Sequence, residues 1–119
     1  MTLKSLSPAI LALSLFAVGC GGEHGDGDGT PDAEVAAVLA LTGDSTNGAS
    51  VFANTCAACH GSDGVSGYGD DLSSAIPAHS DQAIVEVILY GEDDMPAQSQ
   101  LSDQEVADVL EYCRDTFGG

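Results

Sequence analysis

The sequence contains very few basic side chains. Its 119 residues include 2 Lys plus Arg against 19 Asp plus Glu. Lys4 lies in the N-terminal apolar segment, so beyond Cys20 the chain has one fixed cation, Arg114, against nineteen acids, for a formal charge of -18. This charge excludes nucleic acid and anionic membrane surfaces as electrostatic partners and favours a protein with a basic face.

The sequence also lacks the residues that build a large core. It has no Trp, three Phe and three Tyr. If the first 19 residues are removed, about 100 residues remain, and chains this small usually need a stabilising cross-link, metal or cofactor. The composition therefore predicts that a large apolar group other than the polypeptide completes the core.

The N-terminal residues have the pattern of an export signal. Residues 3–18 are almost all apolar or small behind Lys4, and this run is too short to span a bilayer as a mature helix. The Ala-Val-Gly-Cys sequence at 17–20 resembles a bacterial lipobox, which implies acylation of Cys20 and attachment to a membrane without spanning it. By the same resemblance, Gly21 favours the outer membrane. Ala17, where Leu is usual, leaves a plain cleaved signal as the alternative.

The chain is expected to divide into three parts. These are a signal peptide at 1–19, an acylated cysteine with a flexible acidic, Gly-rich tether at 20–43, and one folded domain at 44–119. Residues 21–32 include no large apolar side chain, so they cannot bury enough surface to fold. Residues 33–41 are apolar enough for a helix or a packed extended segment, and the sequence does not decide between them.

Periodicity and capping residues predict three helices, over 45–58, Asp81–Tyr90 and Asp103–Phe117. Ser80 and Ser102 stand as N-caps before the second and third. The Ile and Val content of the second would also suit a strand. In the first helix, four side chains recur at helical spacing on one face: Ala49, Phe52, Ala53 and Cys56. No pair of segments shows hairpin chemistry.

The most informative motif is Cys-Ala-Ala-Cys-His at 56–60. Cys56 and Cys59, at i and i+3 near a helix end, project to one side at a separation suited to thioether bonds with the two vinyl groups of a haem. His60 then offers an imidazole nitrogen to the iron. This is the motif of c-type haem attachment, and the upstream export signal agrees with the assembly of such haems.

Beyond Cys20 the chain contains a single methionine, Met95, which lies 35 residues after His60 in an acidic loop. Its thioether is a soft ligand suited to the second axial position of a haem. The alternatives are that Met95 fills a gap in the core, or that His79 is the second ligand.

Together these features resemble the class I, mono-haem cytochromes c over residues 44–117. The matching positions are Gly48, Phe52, 56–61, Asp63, Gly64, Gly69, Leu72, Gly91, Met95, Pro96, 101–103 and Tyr112. The resemblance implies an all-α fold, the small class I cytochrome c fold, with three to four helices packed around one covalently attached haem c. It also implies that Gly48 lets the last helix approach closely and that Phe52 and Tyr112 fill the helix crossing.

Two departures from the family pattern concern the surroundings of the haem. The family's Gly-Pro-x-Leu reads Gly-Asp-Asp-Leu at 69–72, although the Asp70 carbonyl can still accept the free N–H of the axial histidine. Only Arg114 remains as a cation for the haem propionates, which leaves backbone N–H groups, water and three neutral side chains as candidate donors: Tyr68, Tyr90 and Gln98.

If both His60 and Met95 bind iron, no open position remains for a substrate. The sequence therefore predicts a one-electron carrier and not an enzyme. The carrier is expected to be a monomer that is lipid-anchored on the periplasmic or cell-surface side. Its expected partners are redox proteins with a basic docking face. A haem-based gas sensor with the same fold is the alternative. Less favoured are a thiol oxidoreductase and a zinc protein using Cys56 and Cys59 with two of His60, His79 and Cys113.

Cys113 is otherwise expected to be a buried, inert side chain, with an intermolecular disulfide as the alternative.

Overall fold

The computed structural model describes residues 31–119. The predicted signal segment, the lipobox and Cys20 lie outside these residues. The helices are α1 Ala33–Leu39, α2 Ser45–Val51, α3 Ala57–His60, α4 Leu72–Ala78, α5 Asp81–Tyr90 and α6 Asp103–Phe117. No strand occurs within the described part of the chain, which confirms the predicted all-α class. None of these helices combines the length and the apolar character needed to cross a membrane.

A π-helical turn over Phe52–Cys56 joins α2 to α3, so the helix predicted at 45–58 forms but is irregular. The Ala57 N–H bonds to the Phe52 carbonyl, five residues earlier. The wider turn changes which side chains face inward. Val51 and Phe52 are buried whereas Ala53 is exposed, so the predicted apolar face is wrong at Ala53.

Helix α1 lies inside the segment predicted to be a flexible tether. Asp32 caps it by accepting the backbone N–H groups of Glu34 and Val35 at 3.1 and 2.9 Å. Val35 and Val38 are 0% and 1% exposed, and α1 packs on α5 and α6. Of the two forms considered for residues 33–41, the structure shows the helix, and the packed structure begins at α1.

Helix α4 was not predicted from the sequence. Asp71 caps it by accepting the Ser73 N–H at 2.9 Å, and Leu72 and Ile76 are buried one turn apart. Pro77 lies in its last turn, where its missing N–H and the restriction on the preceding residue weaken any helical pattern. This short helix connects the loop after α3 to the start of α5.

The most extensive helix contact is between α2 and α6. A Cβ on Gly48 would lie 2.6 Å from the Asp108 carbonyl carbon and 2.8 Å from the Tyr112 Cβ, so only glycine permits this approach. The Phe52 and Tyr112 rings pack at 5.3 Å between centroids, and Phe117 joins them at 5.6 Å from Phe52. The predicted roles of Gly48, Phe52 and Tyr112 are confirmed, and Phe117 is an addition.

A buried carboxylate also holds α2 to α6. Asp108, 3% exposed, accepts hydrogen bonds from the Asp44 backbone N–H, Asn47 Nδ2 and Gln104 Nε2 at 2.8, 2.6 and 2.8 Å. Burial by itself would raise the pKa of Asp108, but these three donors together lower it. The carboxylate is therefore kept ionised and fixes the start of α2 against the middle of α6.

Candidate functional site

A cavity of about 360 Å³ opens between the end of α3, the loop that follows it and the loop after α5. This volume lies in the range of cofactor pockets. The four predicted site residues all line the cavity: Cys56, Cys59, His60 and Met95. The other lining residues are Thr55, Tyr68, Gly69, Asp70, Val87, Glu92, Asp93, Asp94, Pro96 and Gln98. The rival residue His79 is exposed at the end of α4 and is absent from the lining.

The imidazole of His60 is held by one hydrogen bond from its ring. Its Nδ1 lies 2.9 Å from the carbonyl oxygen of Asp70. A carbonyl can only accept, so Nδ1 carries the proton and Nε2 keeps a lone pair that can bind a metal. The bond predicted between His60 and Asp70 is therefore confirmed, although Asp70 replaces the proline of the family pattern.

Glycines allow the loop after α3 to fold back against His60. The Gly69 N–H donates to the Cys59 carbonyl at 2.8 Å, and the Gly67 N–H donates to the His60 carbonyl at 3.2 Å. A Cβ on Gly69 would lie 2.9 Å from His60 Nδ1. A side chain at position 69 would therefore displace the ring or the loop, and the backbone that places the Asp70 carbonyl would move with it.

The two cysteines of the motif are half-buried beside the cavity. Burial, with a smaller contribution from Cys59, raises the pKa of the Cys56 thiol to about 11. The hydroxyl of Tyr68 lies 2.9 Å from Cys59 Sγ. Reactive thiols have a lowered pKa, so the surroundings of Cys56 are the opposite of those in thiol oxidoreductases.

Met95 is presented by a tight turn after α5. The backbones of Glu92 and Met95 exchange two hydrogen bonds of 3.0 and 2.8 Å, and Asp93 within the turn has a left-handed φ of 48°. Asp tolerates this conformation better than most residues. The Gln98 N–H donates to the Ile88 carbonyl at 2.8 Å, which ties the far side of the loop to α5. Met95 therefore sits on a backbone that is fixed at both ends.

The candidate donors for haem propionates have different positions. Tyr68 and Gln98 line the cavity, whereas Tyr90 lies outside its lining and donates its hydroxyl to Asp32 at 2.7 Å. Arg114 is also occupied, because its guanidinium donates to Asp81 at 2.7 Å and to the carbonyls of Ile76 and His79. Four carboxylates and no cation line the described cavity.

Two further predictions concern the remaining thiol and metal binding. Cys113 is 6% exposed, and burial raises its pKa to about 12, which confirms a buried side chain. Within residues 31–119, no three His, Cys, Asp or Glu side chains are grouped to hold a metal ion. This placement does not favour the zinc site considered from the sequence. Sequence reasoning missed two lining residues, Thr55 and Val87. The available signal for Thr55 was its spacing of four residues from Cys59.

Comparison with known proteins gives one family. The model of the family described as cytochrome c oxidase, cbb3-type, subunit III matches residues 43–113, which is more than half of the chain. No curated protein and no solved structure matches the chain. The matched segment contains the Cys-x-x-Cys-His motif, the cavity and Met95. The chain therefore belongs to this family and is a c-type cytochrome.

Proposed function

We propose that the protein is a mono-haem, one-electron carrier of the class I cytochrome c type. The observation that supports this best is the convergence of Cys56, Cys59, His60 and Met95 on one cavity. The cysteines would hold haem c covalently, and His60 and Met95 would bind its iron. When bound, the haem supplies a reversible Fe(II)/Fe(III) couple.

The chain's own contribution is to hold its ligands still. The Asp70 carbonyl fixes the tautomer and orientation of the His60 ring. The backbone pair between Glu92 and Met95 fixes the base of the thioether side chain. Ligands that keep their positions in both oxidation states lower the reorganisation that electron transfer requires, which suits a carrier.

The same features favour a carrier over a gas sensor. A sensor would have to release Met95 so that a small ligand could bind in its place. The turn that bears Met95 is closed by two backbone hydrogen bonds, and the loop is tied to Ile88 of α5. Opening of the loop would break these bonds, so the backbone keeps Met95 beside the cavity, and the reduced protein should not bind carbon monoxide.

We also propose that the protein works outside the cytoplasm, attached to a membrane through acylated Cys20. This proposal depends on the export signal and the lipobox, and on the requirement that c-type haems be attached after export. Residues 21–32 would give the anchored domain a polar tether of twelve residues. A membrane-anchored carrier of this kind exchanges electrons with partners at the membrane surface.

The proposed partners are redox proteins with a basic docking face. Glu92, Asp93, Asp94 and Asp70 stand at the cavity through which electrons would enter and leave. Complementary charge increases the rate of encounter with a basic surface more than it increases affinity. Because the family is described by an oxidase subunit, an oxidase is one class of such partner.

The experiment that tests the site is an optical spectrum of the full chain matured in a host that assembles c-type cytochromes. Haem colour that stays with the denatured chain would show covalent attachment. The long-wavelength sulfur-to-iron band of the oxidised protein should be present, absent in Met95→Ala and retained in the control His79→Ala. A colourless protein, or a band that survives in Met95→Ala, would contradict the proposal.

A further inference from the structure

Helix α1 is an addition to the part of the chain that the family model covers. The match begins at residue 43, whereas α1 ends at Leu39. Yet α1 is firmly packed, since Val35 and Val38 are among the most buried side chains of the described residues. Its partners include α5, the helix from which the Met95 loop emerges. An accessory element therefore contacts the element that supports a proposed iron ligand.

The contact between α1 and α5 includes a charge-assisted hydrogen bond. The Tyr90 hydroxyl lies 2.7 Å from Asp32 Oδ2 and 3.3 Å from Glu34 Oε2. Carboxylates only accept, so Tyr90 is the donor. Tyr90 is 46% exposed, and the partial desolvation of its hydroxyl, together with Asp32 and Glu34, raises its pKa, which keeps the donor protonated at physiological pH. Hydrogen bonds to a charged acceptor are about twice as strong as neutral ones.

Tyr90 occupies the point where α5 ends and the Met95 loop begins. It is the last residue of α5, and Gly91 follows with a left-handed φ of 78°. A Cβ at Gly91 would lie 2.8 Å from the Ala97 nitrogen, so the two ends of the loop meet here. Any outward movement of the loop that carries Met95 away from the cavity must pivot on this segment.

We propose that Tyr90 is a positioning residue, which fastens α1 to the base of the ligand loop through Asp32 and Glu34 and thereby slows the release of Met95 from the iron. This inference depends on the proposed ligation by Met95. Tyr90 itself lies outside the cavity lining, so its effect is exerted through the loop. The N-terminal segment would thus control how long the thioether stays bound.

The test measures how fast added imidazole displaces Met95 in the oxidised, haem-loaded full chain, followed by loss of the long-wavelength band. Tyr90→Phe keeps the ring and removes the donor, and we expect displacement to be about fivefold faster, the effect of losing one net hydrogen bond. The control is Gln82→Ala, which removes a side-chain hydrogen bond to Glu86 elsewhere on α5 and should leave the rate unchanged.

A second variant separates positioning from folding. Asp32→Asn preserves the cap of α1 through Oδ1, because Asn caps helices as well as Asp does, but it replaces Oδ2, the acceptor of the Tyr90 hydroxyl, with an amide nitrogen that cannot accept. Glu34 then remains as the more distant acceptor at 3.3 Å. We expect displacement about twofold faster, with unchanged helix content by circular dichroism. Rates equal to wild type in both variants would overturn the inference, even if the melting temperature fell. A wild-type protein without the band would instead refute the ligation by Met95 itself.

Discussion

Substitution of Gly48 by alanine tests how closely α2 and α6 approach each other. Gly48 lies within a helix, where alanine is normally favoured by about 1 kcal/mol. Here the new methyl group would meet the backbone carbonyl of Asp108 and lie 2.8 Å from the Tyr112 Cβ. Backbone atoms cannot rotate aside as a flexible side chain can, so α6 must retreat from α2.

The expected cost follows from two contributions. Overpacking of this kind costs about 1–3 kcal/mol. Retreat of α6 also weakens the contact of Phe52 with Tyr112, and such aromatic pairs contribute about 0.5–1.5 kcal/mol. After subtraction of the propensity gain, we expect Gly48→Ala to lower the free energy of unfolding by about 2 kcal/mol. For a domain of this size the melting temperature should fall by about 8–16 °C.

The assay is thermal and denaturant unfolding of the haem-loaded protein, followed by far-ultraviolet circular dichroism. Ser50→Ala is the matched control, since Ser50 is exposed on the same helix. Its unfolding free energy should change by less than about 0.5 kcal/mol. The sign of the Gly48→Ala effect is decisive, because stabilisation by about 1 kcal/mol would mean that helix propensity dominates and that the close crossing does not exist.

Two further predictions concern charge. The pKa of Asp108 is lower in the folded than in the unfolded protein, so its stabilisation is present above about pH 4 and is lost as the pH falls further. Asp108→Asn should lower the free energy of unfolding by about 1–3 kcal/mol at pH 7. In denaturant titrations, the variant should also lose less stability than the wild type as the pH falls below about 4. A variant that loses as much stability as the wild type over this range would contradict the prediction. The second prediction concerns the rate of electron transfer to a basic redox protein, measured by stopped-flow mixing. The bimolecular rate constant should fall as added salt shortens the Debye length from about 30 Å to about 8 Å. A rate constant that does not change with salt would contradict electrostatic steering.

The features that could be predicted from the sequence are those encoded by neighbouring residues. The Cys-x-x-Cys-His motif is five residues long, and the caps and periods of α5 and α6 act within one or two turns, so each was visible locally. The ends of α5 and α6 agree with the structure for this reason. Met95 could be selected as the candidate second ligand because it is the single methionine beyond Cys20.

The features that escaped prediction depend on contacts between distant residues. Asp108 acquires its role from Asp44 and Asn47, more than sixty positions away, and Tyr90 from Asp32, 58 positions away. Helix α1 offers only two large inward side chains, too few to establish a period. The π-helical turn at Phe52 similarly has no sequence signature, because one extra residue per turn is detectable only after the helix packs.

The position of Arg114 has a consequence for how partners recognise this protein. Its guanidinium contacts Asp81 and two backbone carbonyls between α4, α5 and α6. Arg114 is also the single Lys or Arg among the described residues, so no other fixed positive charge lies on the described surface. Many docking proteins are oriented by a molecular dipole, with one hemisphere attractive and the other repulsive. In the docking proposed above, a basic partner would meet no separate patch of fixed positive charge on the described surface, and its orientation would be selected by local charge density and shape after the first encounter.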